Sequence, residues 1–420
     1  MFGIVDLISI SLFVVSFGFI VYNLPILAIG IRNAQKNANH QTHVRTKKTT
    51  TLLSFSIIVP VRNEENTLGR LVKALSNLSY PKQKVEIIIV ESGSNDNTLK
   101  LCEQHAKEYG NIRVLKQPNS NGKASALNLS LNYCKGDIVG VFDADNVPEP
   151  NALMKAAQYF RDSKVAAVQG KTTSINAMEN ILTRLMSYEE LVQCEALLRG
   201  KDSLGLFVQL RGSCQFIRRE LLQQLSGFDE SCLAEDLEIS ARIAEKGYSI
   251  RYGGDVCAWQ ESVSTLKSLF KQRARWSRGT MEVAFKYGRL MKKPSMRNFD
   301  AEMTLCAPFL MLVSLLYPIA ASGSLLASSP FDVFWQTLNL LPLISTGIML
   351  LLAGSALFYV STQKRKKNLL WLPFVFGFCC LQAFVALYAL ILILLRRPRI
   401  WLKTEKKGTI ANSSFDLQQC

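Results

Sequence analysis

Uncharged apolar stretches at the two ends of this 420-residue chain restrict its fold more than any other feature. Residues 7–31 read LISISLFVVSFGFIVYNLPILAIGI, which is long enough to cross a bilayer as one helix. A cleaved signal peptide is the alternative, but it needs Lys or Arg before the apolar core, and MFGIVD has neither. Basic residues follow the stretch, so the positive-inside rule places residue 32 onward in the cytosol. We therefore expect a transmembrane helix at 1–31 and a polar linker at 32–53.

Three more apolar stretches near the other end predict a membrane bundle at 301–396. The stretches are 303–328, 333–360 and 369–395. If all three crossed, the basic C-terminal segment would face outside, against the positive-inside rule, so one stretch could be re-entrant or interfacial.

The ends of the chain predict an integral multi-pass protein, assigned to the plasma (cytoplasmic) membrane, with its globular domain facing the cytosol. After the bundle comes a basic tail at 397–420, and residues 404–420 are expected to be disordered.

Charge and cysteine content narrow the class of partner and the compartment. Lys and Arg outnumber Asp and Glu by 49 to 33, which suits anionic partners such as nucleic acid, anionic lipid or nucleotide phosphates. The ten cysteines include no CxxC pair, so we interpret them as reduced thiols and not as a disulfide framework.

The region 54–262 has the pattern of an α/β domain with a parallel, Rossmann-like sheet. Short β-branched runs alternate with helical patterns, and near-continuous apolar strands are typical of sheets covered on both faces. The predicted strands are 55–61, 85–92, 112–117 and 138–145. The predicted helices are 66–78, 97–109 and 123–134. Ligands bind at the carboxyl ends of such strands. No GxGxxG or GxxxxGK[ST] motif is present, which argues against a dinucleotide site and a P-loop ATPase.

Carboxylates and amides end three of these strands, in VPVRNEENTL, ESGSNDNT and DADNVPEP. Asp143 and Asp145 could turn into one cleft and hold a hard divalent cation beside a diphosphate, although DxD also occurs by chance in solvated turns. Glu235 and Asp236 open a predicted helix, where the helix dipole alone would favour acidic residues. Lys123 begins a helix after a Gly turn, a position that attracts phosphate, although for this residue taken alone an exposed lysine is the better explanation.

Taken in order, the motifs resemble the membrane-embedded family 2 glycosyltransferases, the branch that includes cellulose, chitin, hyaluronan and poly-N-acetylglucosamine synthases. The matching stretches cover roughly 55–280 and are VPVRNEENTL, ESGSNDNT, GKASALN, FDADNVPEP, GSCQFIRRELL, AEDLEIS and QRARW. Each motif is weak alone, and seven in the same order are specific. The resemblance implies a GT-A fold, a nucleotide-sugar donor that is usually a UDP-sugar, and Mg²⁺ or Mn²⁺.

The resemblance also implies roles for single residues. Asp236, beside Glu235, would be the general base that deprotonates the acceptor hydroxyl, and Asp145 with Asp143 would hold the metal at the diphosphate. Trp276 would bind the acceptor sugar. The donor would be bound by Pro60, Val61, Glu64, Glu91, Lys123, Asp143, Gln272 and Arg275. The second motif is often DDGS in this family and is ESGS here, so Ser92 replaces a carboxylate and weakens the analogy at that point.

Residues 263–300 are predicted to be amphipathic interfacial helices that carry the QxxRW motif. The stretch 264–294 has nine basic side chains and one acidic one, which suits contact with anionic membrane lipids. Arg275 is suited to bind the diphosphate through charge-assisted hydrogen bonds, and Trp276 offers a face on which a sugar ring can stack. A basic collar beside a membrane would explain the other cations without any role in catalysis.

We expect inverting transfer, because no second nucleophilic carboxylate is required. Inversion yields a β-linked product from an α-linked donor. The preferred interpretation is a processive polysaccharide synthase, whose growing polysaccharide passes through the membrane helices. Transfer of one sugar to a membrane lipid, as in ceramide glucosyltransferase-like relatives, stays open. Few spans are visible for a channel, so a partner subunit or a homo-oligomer is a possible requirement of the first interpretation. Binding of nucleic acid is not expected, because the cations cluster beside the membrane without a recognition motif.

Overall fold

The computed structural model describes five continuous stretches of the chain and several single positions. The stretches are 4–39, 52–118, 122–288, 290–313 and 366–399, and the single positions are 316, 344, 347, 348, 351, 354, 355, 357, 358, 404 and 406–408. Apart from those positions, the predicted span at 333–360 lies outside the described residues, as does most of the predicted span at 303–328.

The first helix, α1 (Ile4–Asn39), is both a candidate membrane helix and a part of the globular domain. Its segment Ile10–Lys36 is long and apolar enough to cross a membrane, judged by length and composition. Ile26 is nevertheless buried, and a Cβ built on Gly30 would lie 1.8 Å from the carbonyl oxygen of Ala196. The helix continues to Asn39, so residues 32–39, which the sequence assigned to a polar linker, are helical.

An eight-stranded sheet forms the centre of the domain. Its strand order is β3-β2-β1-β4-β7-β6-β8-β5. The strands are β1 (Phe55–Val61), β2 (Val85–Glu91), β3 (Ile112–Lys116), β4 (Ile138–Val141), β5 (Val147–Pro148), β6 (Val165–Ser174), β7 (Gln215–Arg218) and β8 (Ser249–Gln260). The β3-β2-β1-β4 part is parallel, as predicted, whereas β7 runs antiparallel to both β4 and β6. The complete sheet is therefore mixed.

Helices cover both faces of the sheet. The helices of the first half are α2 (Leu68–Ser76), α3 (Thr98–Glu108), α4 (Lys123–Leu131) and α5 (Ala152–Tyr159). Side chains of β1 alternate between two buried clusters: Ile57 and Val59 pack on one face of the sheet, and Ile58 packs on the other. Burial on both faces explains why the strands read as continuous apolar runs.

The second half of the chain adds the helices that surround the site. They are α6 (Ile181–Leu191), a π-helical segment (Val192–Leu198), α7 (Arg199–Ser203), α8 (Arg219–Gln224), α9 (Glu235–Glu245), α10 (Leu266–Tyr287), α11 (Met296–Leu305) and α12 (Leu372–Leu394). Thr265 and Ser295 accept backbone N–H bonds at the starts of α10 and α11, which satisfies amides that a helix leaves free there. The segment Leu369–Leu394 is the second described helix long and apolar enough to cross a membrane.

Candidate active site

Strand ends, helix starts and the two candidate membrane helices surround one cavity of about 490 Å³. Pro60 and Val61, the last residues of β1, and Glu64, which follows the strand, line its first end. Ser92 also lines the cavity, but Glu91 does not. One carboxylate oxygen of Glu91 instead accepts the Ser94 N–H at 2.6 Å, so this side chain holds its own loop. The structure thus brings four of these five strand-end residues to the cavity, and Ser92 takes the position expected for Glu91.

Lys123 connects the carboxylates on opposite sides of the cavity. Its ammonium group donates to Asp143 Oδ1 at 2.5 Å and to the Gly212 carbonyl at 2.7 Å, and it lies 4.0 Å from Glu235 Oε1. Burial alone would lower the pKa of Lys123, but Asp143 and Glu235 raise it, so the side chain stays charged. The sequence alternative of an exposed lysine is excluded, because the side chain is largely buried.

Gly212 lies close to both Lys123 and Asp236, the predicted general base. Its φ of +80° is a left-handed conformation that glycine adopts without strain. A Cβ at this position would lie 3.1 Å from Asp236 Oδ2 and 3.3 Å from Lys123 Nζ. The loop therefore approaches both functional side chains closely because it has no side chain of its own.

Asp143 and Asp145 both line the cavity, but they have different partners. Asp145 Oδ2 accepts the Glu261 N–H at 3.0 Å and lies 2.7 Å from Lys406 Nζ. Burial would raise the pKa of Asp145, yet Lys406 and these hydrogen bonds lower it, so the carboxylate stays ionised.

Two hard carboxylates beside a phosphate-sized space fit Mg²⁺ or Mn²⁺. Among the residues that the structure describes, no group of three or more His, Cys, Asp or Glu forms a cage for a metal ion. Mg²⁺ commonly uses one or two carboxylates and takes its other ligands from phosphates and water. The predicted pair of Asp143 and Asp145 fits this pattern, and the Asp145 carboxylate already lies against one cation, the Lys406 ammonium, at 2.7 Å.

The C-terminal tail reaches the site, although the sequence assigned 404–420 to disorder. Thr404 and Lys406 line the cavity. Lys406 donates to the backbone oxygen of Glu261, and the Glu261 carboxylate accepts the N–H groups of Lys407 at 2.7 Å and Gly408 at 3.0 Å. The sequence of a basic tail does not show which of its lysines will make such a contact. It also gives no reason to expect Thr404 in the cavity.

Glu235 and Asp236 begin α9 at the centre of the cavity. Burial raises the pKa of Glu235 to about 7, and the neighbouring Asp236 adds to the rise while Lys123 opposes it. Burial also raises the pKa of Asp236, against the pull of Lys123 and Arg275. A carboxyl group with a pKa moved toward neutrality can exchange a proton with a hydroxyl group more readily than an ordinary aspartate. A helix N-terminus with solvated acids does not explain this degree of burial.

The QxxRW residues all reach the cavity from α10. Arg275 is buried, which lowers its pKa, while the charges of Glu235, Asp236 and Asp143 act in the opposite direction. Gln272 has a buried Oε1 that accepts no hydrogen bond within the described part of the chain. Trp276 is 39% exposed, and the Arg273 guanidinium covers one face of its ring at 4.5 Å from the centroid.

A buried polar cluster at the opposite end of the cavity had no signal in the sequence. Asp300 of α11 accepts a hydrogen bond from the Tyr22 hydroxyl of α1 at 2.9 Å and lies 3.0 Å from Lys201 Nζ. Lys201 also donates to Thr304 Oγ1 at 2.6 Å. The charged side chains come from positions about a hundred residues apart, so only the folded chain pairs them. Apolar residues of α1 and the α11 region continue the wall: Phe19, Met303, Ala307, Pro308 and Met311.

The acids that follow β4 and the carboxylates that begin α9 line one cavity. Comparison of the sequence with known families identifies the class of protein. The chain belongs to the family described as glycosyltransferase like family 2, which matches residues 54–279. It is a glycosyltransferase.

Curated relatives in this family act on different acceptors according to their names. The probable glycosyltransferase YdaM of Bacillus subtilis is 35% identical over 240 residues, which are 56% of this chain and 57% of that protein. The β-monoglucosyldiacylglycerol synthase of Trichormus variabilis is 30% identical over 323 residues, which are 76% of this chain and 68% of the relative. The poly-β-1,6-N-acetyl-D-glucosamine synthase of Staphylococcus aureus is 28% identical over 235 residues, 55% of this chain and 56% of the relative. The chain thus spans little more than half of two of these relatives.

Comparison with solved structures supports the GT-A-like fold. The mannosyltransferase PcManGT of Pyrobaculum calidifontis, solved with GDP-Man and Mn²⁺, has a TM-score of 0.61 at 20% identity. The match covers 94% of this chain and 100% of that structure. The α/β, GT-A-like class predicted from the sequence is confirmed.

Proposed function

We propose that this protein is an inverting, membrane-bound glycosyltransferase. It moves a sugar from a nucleoside diphosphate donor to an acceptor hydroxyl that approaches from the membrane side, and a UDP-sugar is the first donor to test. One observation carries the proposal. A single cavity joins the ends of β1 and β4 to Asp236 and continues to α1, a helix apolar enough to cross a membrane.

The side chains of this cavity support a division of labour. Asp236 takes the proton of the acceptor hydroxyl, whose oxygen then forms a bond to the anomeric carbon as the bond to the diphosphate breaks. Lys123 and Arg275 bring positive charge to the leaving diphosphate, where charge-assisted hydrogen bonds are strong. A divalent cation held by Asp143 and Asp145 would neutralise the phosphate oxygens when bound. Direct attack by the acceptor inverts the anomeric carbon.

Two kinds of acceptor are favoured by different observations. The apolar wall of Phe19, Ala307 and Met311 favours a lipid-linked acceptor whose tail lies along the membrane helices. Trp276, which lines the same cavity with one face under Arg273, favours a growing polysaccharide, because aromatic rings stack on sugars. The lipid-linked acceptor is the better supported of the two, since the apolar wall involves several side chains from separate elements.

The membrane arrangement follows from the same cavity. With α1 and α12 crossing the bilayer, the domain between them faces the cytosol, where nucleotide sugars are made available. A multi-pass bundle, a plasma-membrane location and a second subunit that completes a channel belong to the polymer variant of the proposal.

Donor turnover by the purified protein in lipid tests the proposal. A panel of radiolabelled UDP- and GDP-sugars would be incubated with Mg²⁺ or Mn²⁺ and total membrane lipid, and products would be separated by solvent extraction and by size. We expect metal-dependent transfer from one donor into the organic phase. A product of high mass that glycosidases degrade would favour the synthase variant, and no turnover of any nucleotide sugar would overturn the proposal.

A further inference from the structure

One long wall of the cavity is a single helical stretch that the proposed mechanism does not use. Glu189, Gln193, Leu197 and Lys201 all line the cavity at four-residue spacing, from α6 through the π-helical segment into α7. Residues four apart share one face of a helix. At about 1.5 Å per residue this wall is about 18 Å long, enough to contact more than the donor sugar. π-Helical turns are frequent at functional sites.

The polar end of this wall lies beside the proposed base. Arg211 binds both carboxylate oxygens of Glu190, at 2.7 and 2.9 Å. The next residue, Gly212, is the one whose Cβ would lie 3.1 Å from Asp236 Oδ2. Glu190 and its neighbour Glu189 are therefore connected to the base through one short loop. An acceptor positioned for deprotonation by Asp236 would pass this end of the wall.

Side chains from two other helices complete the polar end. Glu189 Oε2 lies 2.5 Å from an Arg273 nitrogen of α10, and Glu189 Oε1 lies 3.5 Å from Gln382 Nε2 of α12. Gln382 stands in the middle of a stretch apolar enough to cross a membrane, yet it lines the cavity. A polar residue in such a stretch usually has a functional partner. Gln193, four residues after Glu189 on the same wall, is exposed and lines the cavity.

We propose that Glu189, Gln193 and Gln382 form a subsite for the terminal sugar ring of the acceptor, so that the enzyme extends a glycoside instead of glycosylating a bare lipid hydroxyl. The inference rests on the proposed function and names its substrate class. An amide side chain both donates and accepts, and a carboxylate accepts, which matches the several hydroxyls of a pyranose. Diacylglycerol has one hydroxyl and could not satisfy the amide groups of both Gln193 and Gln382, which costs binding energy. The ring could belong to a glycolipid or to a growing polysaccharide.

Leucine variants of the two glutamines test the subsite without breaking an ion pair. Glu189 is left unchanged because it also holds Arg273. Gln193→Leu and Gln382→Leu keep side-chain size and remove hydrogen bonds. Gln223→Leu, at an exposed position of α8 away from the cavity, is the matched control. The probes are dioleoylglycerol, its monoglucosyl and mono-N-acetylglucosaminyl derivatives, and soluble tetrasaccharides of the same sugars.

We expect a glycoside to exceed dioleoylglycerol at least tenfold in kcat/KM. Each leucine variant should raise the acceptor KM about tenfold, as expected for a lost hydrogen bond in an enclosed site, while the donor KM stays within about twofold of wild type. The control should match wild type. Preference for the lipid derivative or for the tetrasaccharide identifies the source of the sugar.

Three results would overturn the subsite. One is equal use of dioleoylglycerol and the glycosides, another is an equal effect of the variants on both, and the third is donor hydrolysis without transfer to any glycoside. Failure of the proposed function has a different signature: wild-type protein would then hydrolyse no nucleotide sugar in the presence of metal, even with water as the only acceptor.

Discussion

The two ends of the cavity are built in different ways. The end that we propose for the donor, called the donor end, comes from consecutive strand ends and the helix starts that follow them, so Pro60, Lys123 and Asp143 meet because neighbouring parallel strands finish at one edge. The end that we propose for the acceptor, called the acceptor end, comes from α1, α6, α11 and α12, which are distant in the chain. Tyr22 meets Asp300, and Glu189 meets Gln382, only after the whole domain has folded.

The contrast shows why the donor end is recognisable from motifs and the acceptor end is not. Nucleoside diphosphates are chemically uniform and need a constant set of charges at strand ends. Acceptors differ from enzyme to enzyme, and the relatives named for a glycolipid and for a polysaccharide illustrate this. The acceptor end is therefore where variation between family members should be concentrated, and experiments that separate the two ends are the informative ones.

Asp236→Asn should produce the largest change and should affect catalysis alone. Removal of a general base is expected to lower transfer by about 10²–10⁴-fold. Donor affinity, measured by calorimetry with the nucleoside diphosphate and metal, should stay near wild type because the donor end is intact. Retained turnover would show that another group takes the proton, and Glu235→Gln would then be the next variant to measure.

Asp300→Leu should destabilise the folded protein at the acceptor end. The change leaves the Lys201 ammonium buried without its carboxylate, and breaking a buried pair in this way costs about 3–5 kcal/mol. A clear fall in the melting temperature in detergent is expected. Glu103→Gln, which removes an exposed pair with Lys116, should leave the melting temperature unchanged, since exposed pairs contribute little. Equal melting temperatures for both variants would contradict the structural importance of the cluster.

Gly30→Ala should loosen the contact between α1 and the globular domain. A Cβ there would lie 1.8 Å from the Ala196 carbonyl oxygen, and overpacking of this kind costs about 1–3 kcal/mol. Gly18→Ala on the same helix is the matched control, because no atom of the described residues outside its own helical turn and chain neighbours lies within 4 Å of its Cβ position. Faster proteolysis after residue 39 is expected for the first variant alone. Similar protection of both would mean that α1 adjusts without cost.

Lys406→Met tests whether the Lys406 ammonium competes with the metal ion at the donor end. Its ammonium lies 2.7 Å from Asp145 Oδ2 and competes with any cation for that carboxylate. We expect the concentration of Mn²⁺ that gives half-maximal turnover to fall several-fold. Lys407→Met is the control, because Lys407 Nζ binds Glu179 instead, at 3.0 Å. A rise in donor KM at saturating Mn²⁺ would show that Lys406 contacts the donor and not only the carboxylate.

A rise in pH should change activity and stability in opposite directions, and we expect this to be the smallest effect of the series. Burial and Asp236 raise the pKa of Glu235 from 4.5 to about 7, and burial raises the pKa of Asp236 as well. Transfer needs Asp236 in its ionised form, and the raised pKa of this carboxyl group means that kcat/KM should still rise with pH above the range in which an ordinary aspartate ionises. Stability should move oppositely. Raised folded-state pKa values stabilise the fold below the unfolded value of 4.5, and this contribution is lost as pH rises through about 7. Parallel pH profiles of rate and melting temperature would contradict this assignment.

Local pattern was sufficient for the first half of the domain. The strands β1, β2 and β4 begin where apolar runs predicted them, because each is buried on both faces, although β4 ends at Val141 and not at residue 145. The partly exposed edge strand β3 and the helices α2 to α4 lie close to their predicted ranges. Motif order was sufficient for the family. Where the prediction differed, at Glu91 and in the tail, the outcome depended on hydrogen bonds to a loop and to Glu261 that periodicity does not report.

The family, the GT-A-like class and the positions of acidic side chains after the strands were recognisable from the sequence, since these follow from short motifs and from the geometry of a parallel sheet. Only the tertiary structure decided which charges are buried together. Lys201 meets Asp300, Lys406 meets Asp145, and Glu189 lies between α10 and α12. A buried charge is stable only beside a partner, and the partner's position in the chain has no local signature.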